Sequence, residues 1–179
     1  MNKSAKAILV TYAITLLVVG CDQLWKPTPP ELTPEQSDAA TQAMVEWFEC
    51  EECEQGELKA VTEYGQAVVP VLSATVAEGA SPASVELVRR ELEKRYDELV
   101  AYQKTHPEVK LGSTKEEFVE LYVGNFNAQY RTRAAQALGE IGGDEAERAL
   151  ESALAKVARE DERNSIKAAL ENLRATAAQ

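Results

Sequence analysis

Two cysteines, Cys50 and Cys53, stand three positions apart in the stretch WFECEECEQGEL, which covers residues 47–58. Cysteines at this spacing can bind a metal ion, exchange thiols with another disulfide, or form a structural disulfide bond. Each kind of chemistry needs different neighbours. The rest of the sequence therefore indicates which one applies to this pair.

A metal site at the pair lacks further ligands in the sequence. Structural zinc takes four ligands, commonly two cysteine pairs or one pair with two histidines. The chain has three cysteines and one histidine, His106, which is distant from the pair. We therefore expect no metal and no cofactor within one subunit, while a zinc site shared across a dimer or completed by glutamates stays open.

Thiol exchange requires a thiolate, which positive neighbours or a helix N-terminus stabilise. Cys50 and Cys53 instead follow the end of a predicted helix and stand among glutamates, namely Glu49, Glu51, Glu52 and Glu54. This pattern favours a structural Cys50–Cys53 disulfide bond, which suits an exported protein because exported proteins meet oxidising conditions. Exchange chemistry at the pair is the alternative.

The remaining residues give no indication of catalysis. His106 stands beside Pro107 in a predicted loop, and the carboxylates follow exposed helix spacing with basic neighbours. No segment matches a phosphate-binding loop, a nucleophile elbow or a zinc-protease helix. We therefore expect that the protein is not an enzyme and has no catalytic residue.

Residues 1–20 have the layout of a secretory signal peptide. Lys3 and Lys6 precede an apolar run from Ala7 to Val19, and the small residue Gly20 precedes Cys21. The apolar run is shorter than the roughly 20 residues that a membrane-spanning helix needs. We therefore predict a cleaved signal peptide at residues 1–20.

The motif Val18-Val19-Gly20-Cys21 resembles the lipobox of bacterial lipoproteins. The resemblance implies that the Cys21 thiol carries a diacylglyceryl group, with palmitate as a typical acyl chain, and that cleavage occurs before Cys21. It also implies a protein of the bacterial cell envelope, anchored in the membrane by lipid and facing the periplasm or the exterior. An ordinary cleaved signal peptide with an incidental cysteine is the alternative.

The chain after residue 20 is strongly acidic and begins with a proline-rich segment. Residues 1–20 contain two of the 19 basic residues and none of the 30 acidic ones, so the net charge of the remainder is −13. Such a charge disfavours nucleic acid and anionic lipid as partners. We interpret residues 21–33 as a tether, and the acidic residues 31–63 as a solvated face that could alternatively bind cations or a basic partner.

Residues 34–179 carry apolar positions at helical spacing, without the alternation of strands, so we predict an all-α domain. Thr33-Pro34 opens the first helix, and Ser81-Pro82 opens the longest. An apolar stripe on that longest helix consists of Val85, Val88, Leu92, Tyr96 and Leu99, and Phe118, Leu121 and Tyr122 begin the next buried stripe. The exposed side of the longest helix has three potential i,i+4 ion pairs, Glu86–Arg90, Glu91–Arg95 and Lys94–Glu98.

The C-terminal third contains a repeat, in which RTRAAQALGEI at residues 131–141 matches RNSIKAALENL at residues 163–173. The segment RAAQALGEIGGDEAERALESAL resembles HEAT-like repeats of the short type found in phycobilisome-lyase-like proteins. The resemblance covers residues 129–173 well and residues 59–79 loosely. It implies antiparallel helical hairpins stacked as a short, irregular solenoid, with a generic helical bundle as the alternative.

Taken together, the two resemblances imply a membrane-anchored envelope lipoprotein that binds another protein through a HEAT-like helical surface, and we expect that it catalyses nothing. The identity of that protein partner is not encoded in any motif. Two alternatives rest on other residues. They are an envelope thiol-disulfide accessory protein that uses Cys50 and Cys53, and a protein that binds cations through its acidic segment.

Overall fold

The computed structural model describes residues 31–50, 52–53 and 55–178 of the chain. The predicted signal peptide, the lipobox with Cys21 and the tether up to residue 30 lie outside the described residues. The described part contains α-helices and one short 3-10 helix, Gly65–Val68, without strands, which confirms the all-α prediction. The α-helices are α1 (Pro34–Glu49), α2 (Gln55–Thr62), α3 (Val69–Glu78), α4 (Pro82–Thr105), α5 (Lys115–Ile141), α6 (Asp144–Leu154) and α7 (Glu160–Ala177).

Capping residues set the start of the first helix where the sequence predicts it. The Thr33 hydroxyl accepts a hydrogen bond from the Gln36 backbone N–H at 3.3 Å, and the Gln36 side chain accepts one from the Thr33 N–H at 3.0 Å. This reciprocal pair satisfies N–H groups that have no partner inside the helix. Leu32, which the sequence places in the tether, already packs against the core.

Helix α5 is the central element, because it packs against each of the other six α-helices of the described part. Its C-terminal half supplies much of the core, including Ala134, Ala135, Ala137 and Leu138, all of which are fully buried. The small alanines allow neighbouring helices to approach closely. At Gly139, an added Cβ would lie 2.8 Å from the carbonyl oxygen of Ala169 on α7, so this crossing requires glycine.

Helix α4 and the N-terminal half of α5 form a hairpin that is much less buried. Of the 24 residues of α4, all described, none is buried, and the predicted stripe from Val85 to Leu99 is only partly covered. The predicted burial of Leu121 and Tyr122 is wrong, since their exposed fractions are 60% and 46%. The apolar spacing that predicts these helices is present, but no described element packs over that face.

Glycines in left-handed backbone conformations end two helices. Gly79 follows α3 with φ of 88°, and Gly142 follows α5 with φ of 69°, a region in which side chains are strained. The Gly79 position is also crowded, because an added Cβ would lie 2.7 Å from Asn127 Oδ1. Asn127 Oδ1 in turn accepts a hydrogen bond from the Ala80 N–H at 3.1 Å, which ties the start of α4 to α5.

Candidate functional site

The two cysteines lie where α1 ends. Their sulfur atoms are 2.00 Å apart and their Cα atoms 5.4 Å apart, so the predicted Cys50–Cys53 pair is at bonding distance. Cys50 directly follows α1, and its backbone N–H donates to the Glu46 carbonyl oxygen at 3.0 Å. We call Cys50 and Cys53 together the cysteine corner. It lies between the end of α1 and the start of α2.

Arg133 of α5 holds the cysteine corner in place. Its guanidinium donates hydrogen bonds to the carbonyl oxygens of Trp47 at 2.8 Å, Phe48 at 2.6 Å and Cys50 at 2.6 Å. These are carbonyls of the last helical turn, which have no helical partner and attract positive charge. The guanidinium carbon also lies 5.6 Å from the centre of the Trp47 ring. Burial lowers the pKa of Arg133 below its ordinary value.

Tyr130, one turn before Arg133, makes a second contact with the end of α1. Its hydroxyl donates to Glu49 Oε1 at 2.6 Å, and its ring lies 4.8 Å from that of Phe48. Burial, together with the neighbouring Glu49 carboxylate, raises the pKa of the Tyr130 phenol far above its ordinary value. The phenol therefore stays protonated and acts as a hydrogen-bond donor throughout the physiological range.

The cysteine corner is thus joined to the centre of the domain through the backbone carbonyls of its own helix. Nothing in the sequence near Cys50 indicates this contact with α5. Arg133 lies far along the chain, and the sequence pattern assigns it only to the repeat at residues 131–141. Arg133 also brings a positive charge close to a segment that otherwise consists of glutamates. A purely structural role for the Cys50–Cys53 bond stays a prediction.

A groove runs along the hairpin between α4 and the N-terminal half of α5, with a volume of about 550 Å³. We call it the hairpin groove. Its lining is mainly aliphatic and aromatic, consisting of Leu92, Arg95, Glu98, Leu99, Tyr102, Phe118 and Tyr122. Tyr102 is 51% exposed, and Leu121 on the same helical segment as Tyr122 is exposed as well. A concave, mostly apolar surface with few charges is typical of a binding site.

The charges of the hairpin groove differ in one respect from the sequence-based expectation. Two of the three predicted pairs form, Glu86–Arg90 at 3.7 Å and Lys94–Glu98 at 4.0 Å. Glu91 and Arg95 do not come within 4.0 Å of each other, and Arg95 instead lines the groove. Among the described residues, Arg95 has no ion-pair partner. Beside its apolar floor, the groove therefore carries one arginine that forms no ion pair with a described residue and one glutamate, Glu98, that pairs with Lys94.

Polar contacts on the other side of the hairpin fasten α4 to α5. Arg89 lies 2.6 Å from Glu120, Lys115 lies 2.8 Å from Asp97, and the Tyr96 hydroxyl donates to the Ser113 carbonyl oxygen at 2.7 Å. The hydrogen bond from Arg89 lowers the pKa of Glu120, and the hydrogen bond to Asp97 raises the pKa of Lys115. These contacts hold α4 in place against the start of α5, and these two helices line the hairpin groove.

The other residues that the sequence analysis considered do not assemble into a site. His106 ends α4 and stacks on Tyr102, with ring centres 3.8 Å apart. Within the described ranges, no three histidine, cysteine, aspartate or glutamate residues are grouped so that they could hold a metal ion. Cys21, the predicted lipidation site, lies outside those ranges.

No single helix of the described part is long and apolar enough to cross a membrane. The segment Gly65–Glu78 and α4 reach that length and composition only as a pair, bent by 48°. Searches of protein-family models, curated proteins and solved structures found no match to this chain.

Proposed function

We propose that this protein is a lipid-anchored scaffold of the bacterial cell envelope that binds a partner protein through the hairpin groove and performs no catalysis. The anchor rests on the lipobox that ends at Cys21. The binding role rests on one observation, which is that four of the six large apolar residues exposed in the described part, Leu87, Tyr102, Leu121 and Tyr122, lie on the hairpin that forms the groove. A two-helix hairpin can bury only one face of each helix, so a third helix on the groove would complete its packing.

The occupant that fits best is an amphipathic helix of the partner protein that carries an acidic residue. The groove between α4 and α5 can accept a third helix. Such a helix places its apolar residues at i, i+3, i+4 and i+7 into the groove. Phe118, Tyr122 and Leu99 offer the apolar contacts. Arg95, which has no ion-pair partner among the described residues, matches an acidic side chain on the incoming helix. Because the pair would be partly buried, it would contribute mainly to specificity.

A HEAT-like solenoid is part of this proposal. Leu138 and Leu170 occupy equivalent positions of the repeat, and both are buried in the core. The C-terminal half of α5 packs on α6 and α7, which follow it in sequence, as consecutive helices do in stacked hairpins. The hairpin groove would then be the end of the stack that still lacks its next layer.

Site-specific photocrosslinking in intact envelopes tests the binding role. A photoreactive residue at Leu121 should crosslink to one protein, and the crosslinked peptide should be an amphipathic helix with an acidic residue. The same photoreactive residue at Lys167, an exposed position on α7, serves as the control. The substitution Arg95→Glu should abolish the crosslink from Leu121, whereas Lys104→Glu should preserve it.

Two outcomes would refute the binding role. One is that Leu121 and Lys167 crosslink to the same mixture of proteins, which would indicate unspecific contact. The other is that Leu121 crosslinks only to a second copy of this chain, which would make the groove a dimer interface.

Metabolic labelling with palmitate tests the anchor. The wild-type chain should carry the label and partition with membranes, and Cys21→Ser should remove both properties. Cys53→Ser controls for labelling of another cysteine. Mature wild-type protein that carries no label would exclude a lipid anchor while leaving the groove proposal intact.

A further inference from the structure

The two sulfur atoms of the cysteine corner differ in their access to solvent. Cys53 is exposed, whereas Cys50 is half-buried and packs against the hydrophobic core. A thiolate that opens a disulfide bond attacks one sulfur atom in line with the bond and displaces the other. Such an approach is open at Cys53 and is restricted by the core at Cys50. The corner therefore offers Cys53 as the sulfur to be attacked and Cys50 as the sulfur that leaves.

Arg133 places a positive charge beside the leaving sulfur. Cys50 Sγ lies 3.2 Å from the carbonyl oxygen of Trp47, and the same oxygen accepts a hydrogen bond from Arg133 Nη1 at 2.8 Å. Arg133 Nη2 donates to the carbonyl oxygen of Cys50 itself at 2.6 Å. Within the described ranges, no carboxylate forms an ion pair with this guanidinium. Because a nearby cation favours a thiolate, Arg133 stabilises the charge that develops on Cys50 Sγ when the bond opens.

Contacts that involve neither sulfur atom hold the end of α1 on α5. Besides the hydrogen bonds from Arg133, Gln129 Nε2 donates to the Phe48 carbonyl oxygen at 2.8 Å, and the Tyr130 ring lies 4.8 Å from the Phe48 ring. These contacts remain when the bond opens, so Cys50 keeps its place at the end of α1. Closing a loop of so few residues costs little chain entropy, so the two thiols can form the bond again. Opening is therefore reversible without unfolding of the domain.

We propose that the Cys50–Cys53 bond is a thiol-exchange site that is opened by a dithiol, with Cys53 as the sulfur attacked. In the first step, one thiolate of the dithiol bonds to Cys53 Sγ, the bond between the two cysteines breaks, and Cys50 leaves as a thiolate with the electron pair. In the second step, the other sulfur of the dithiol loses its proton and displaces Cys53 as a thiolate.

The exchange balances in electrons and protons. The dithiol becomes a disulfide and passes two electrons to this chain, and its two protons are taken up by the thiolates of Cys50 and Cys53. The protein is a substrate of the exchange and not its catalyst. The proposal does not depend on the function proposed for the hairpin groove, because neither cysteine lines that groove.

Reduction of the native full chain by dithiothreitol tests whether the bond exchanges. We expect alkylation and mass spectrometry to show an open bond while the circular dichroism spectrum keeps its helical signal. Oxidised glutathione should then close the bond again. A bond that dithiothreitol opens only in the presence of denaturant would overturn the proposal and show that the bond serves stability alone.

Reduced glutathione, which has a single thiol, identifies the attacked sulfur in the wild-type chain. It can carry out the first step only, so an acid quench traps a mixed disulfide that fragmentation in the mass spectrometer assigns to one cysteine. We expect at least about tenfold more glutathione on Cys53 than on Cys50, because access decides which sulfur is attacked. Equal amounts on the two cysteines, or more on Cys50, would overturn the assignment of Cys53.

Substitutions of Arg133 test its action on the leaving sulfur. Arg133→Gln should slow reduction by dithiothreitol at least about threefold, because the leaving thiolate loses its nearby cation. Arg133→Lys should restore most of the rate, and Arg148→Gln, which changes an exposed arginine of α6, should leave it unchanged. Circular dichroism checks that each variant is folded. Reduction of folded Arg133→Gln at the wild-type rate or faster would exclude this role of Arg133. The glutathione position is measured in the wild type and does not depend on the folding of a variant.

Discussion

Helix α5 passes through two regions that use the same kind of sequence in different ways. Its C-terminal half lies in the stacked body with α3, α6 and α7, where Ala134, Ala135 and Leu138 are fully buried. Its N-terminal half pairs with α4 in the hairpin, where Leu121 and Tyr122 remain exposed. The helix is continuous, and apolar residues recur in both halves. The difference lies in the number of neighbouring elements.

This difference shows that helical periodicity predicts a helix and its apolar face, but not what covers that face. In the body, α1, α2, α3, α6 and α7 pack on α5 and exclude water from its alanine-rich surface. In the hairpin, α4 covers α5 from one side and leaves Leu121 and Tyr122 exposed. An exposed apolar face that the sequence marks as buried is therefore a place where an additional element can bind, which is the basis of the function proposed for the hairpin groove.

The largest expected contrast between the two regions comes from truncating a leucine in each. Leu138→Ala removes a fully buried side chain and should lower the free energy of unfolding by about 2–5 kcal/mol. Leu121→Ala removes an exposed one and should change it by less than about 0.5 kcal/mol. Urea denaturation followed by circular dichroism measures both. A large loss from Leu121→Ala would mean that a partner, for example a second copy of the chain, covers this residue in solution.

Two glycines of α5 offer a sharper test, because the same substitution should have opposite effects. Alanine at Gly124 has open space, with the nearest atom at 3.9 Å, and should stabilise the helix by up to about 1 kcal/mol. Alanine at Gly139 would place its Cβ 2.8 Å from a backbone oxygen of Ala169 and should destabilise the fold by about 1–3 kcal/mol. Thermal denaturation of both variants measures these two changes in stability. Stabilisation at Gly139 would show that α7 does not cross α5 as closely as described.

The cysteine corner should contribute no more to stability than the buried Leu138 side chain. Reduction of a disulfide bond that closes a loop this short lowers the free energy of unfolding by about 2 kcal/mol in the chain-entropy model. Because Arg133 and Tyr130 also hold the corner, we expect the Cys50→Ala and Cys53→Ala double variant to fold. Hydrogen exchange should increase at the end of α1 and stay unchanged in the hairpin. Increased exchange throughout the domain would instead indicate that the bond supports the whole core.

The smallest effect is expected for the ion pair that joins the hairpin helices. Arg89→Gln should cause no resolvable change in melting temperature, because both charges are accessible to solvent. The pKa of Glu120 should rise towards its ordinary value, as followed by NMR titration. In the wild type this pKa is lowered, so the pair stabilises the fold above the unfolded pKa and loses that effect as the pH falls through the folded one. An unchanged Glu120 pKa would rule out the contact in solution.

Much of the fold follows from local signals in the sequence. The first helix begins at the Thr33-Pro34 cap, and α3 and α5 end at Gly79 and Gly142, because caps and glycines act within a few residues. Burial along α4 and the start of α5 does not follow in this way, since it depends on whether another element lies over the face. A stripe of apolar residues looks the same in both cases.

The candidate sites were only partly predictable, for a related reason. The pairing distance of Cys50 and Cys53 follows from their spacing, but the role of Arg133 depends on the packing of α1 against α5. Glu162 stands among other acidic residues at the start of α7 and carries no distinguishing pattern. It is buried where α7 packs on α5, and there Arg131, which is remote in sequence, lies 3.6 Å from it. Contacts between distant segments need the three-dimensional structure.

The continuity of α5 has a mechanical consequence. At a rise of about 1.5 Å per residue, the 27 residues of this helix form a rod of about 40 Å. The rod contains Tyr122 of the hairpin groove, Arg131, which lies 3.6 Å from the buried Glu162, and Arg133, which binds the cysteine corner. Along α5, no loop separates the hairpin from the body. A displacement of the hairpin is therefore transmitted to the body through the helix. A sharp bend in α5 would require breaking its backbone hydrogen bonds. These three residues therefore keep fixed positions relative to one another along the helix.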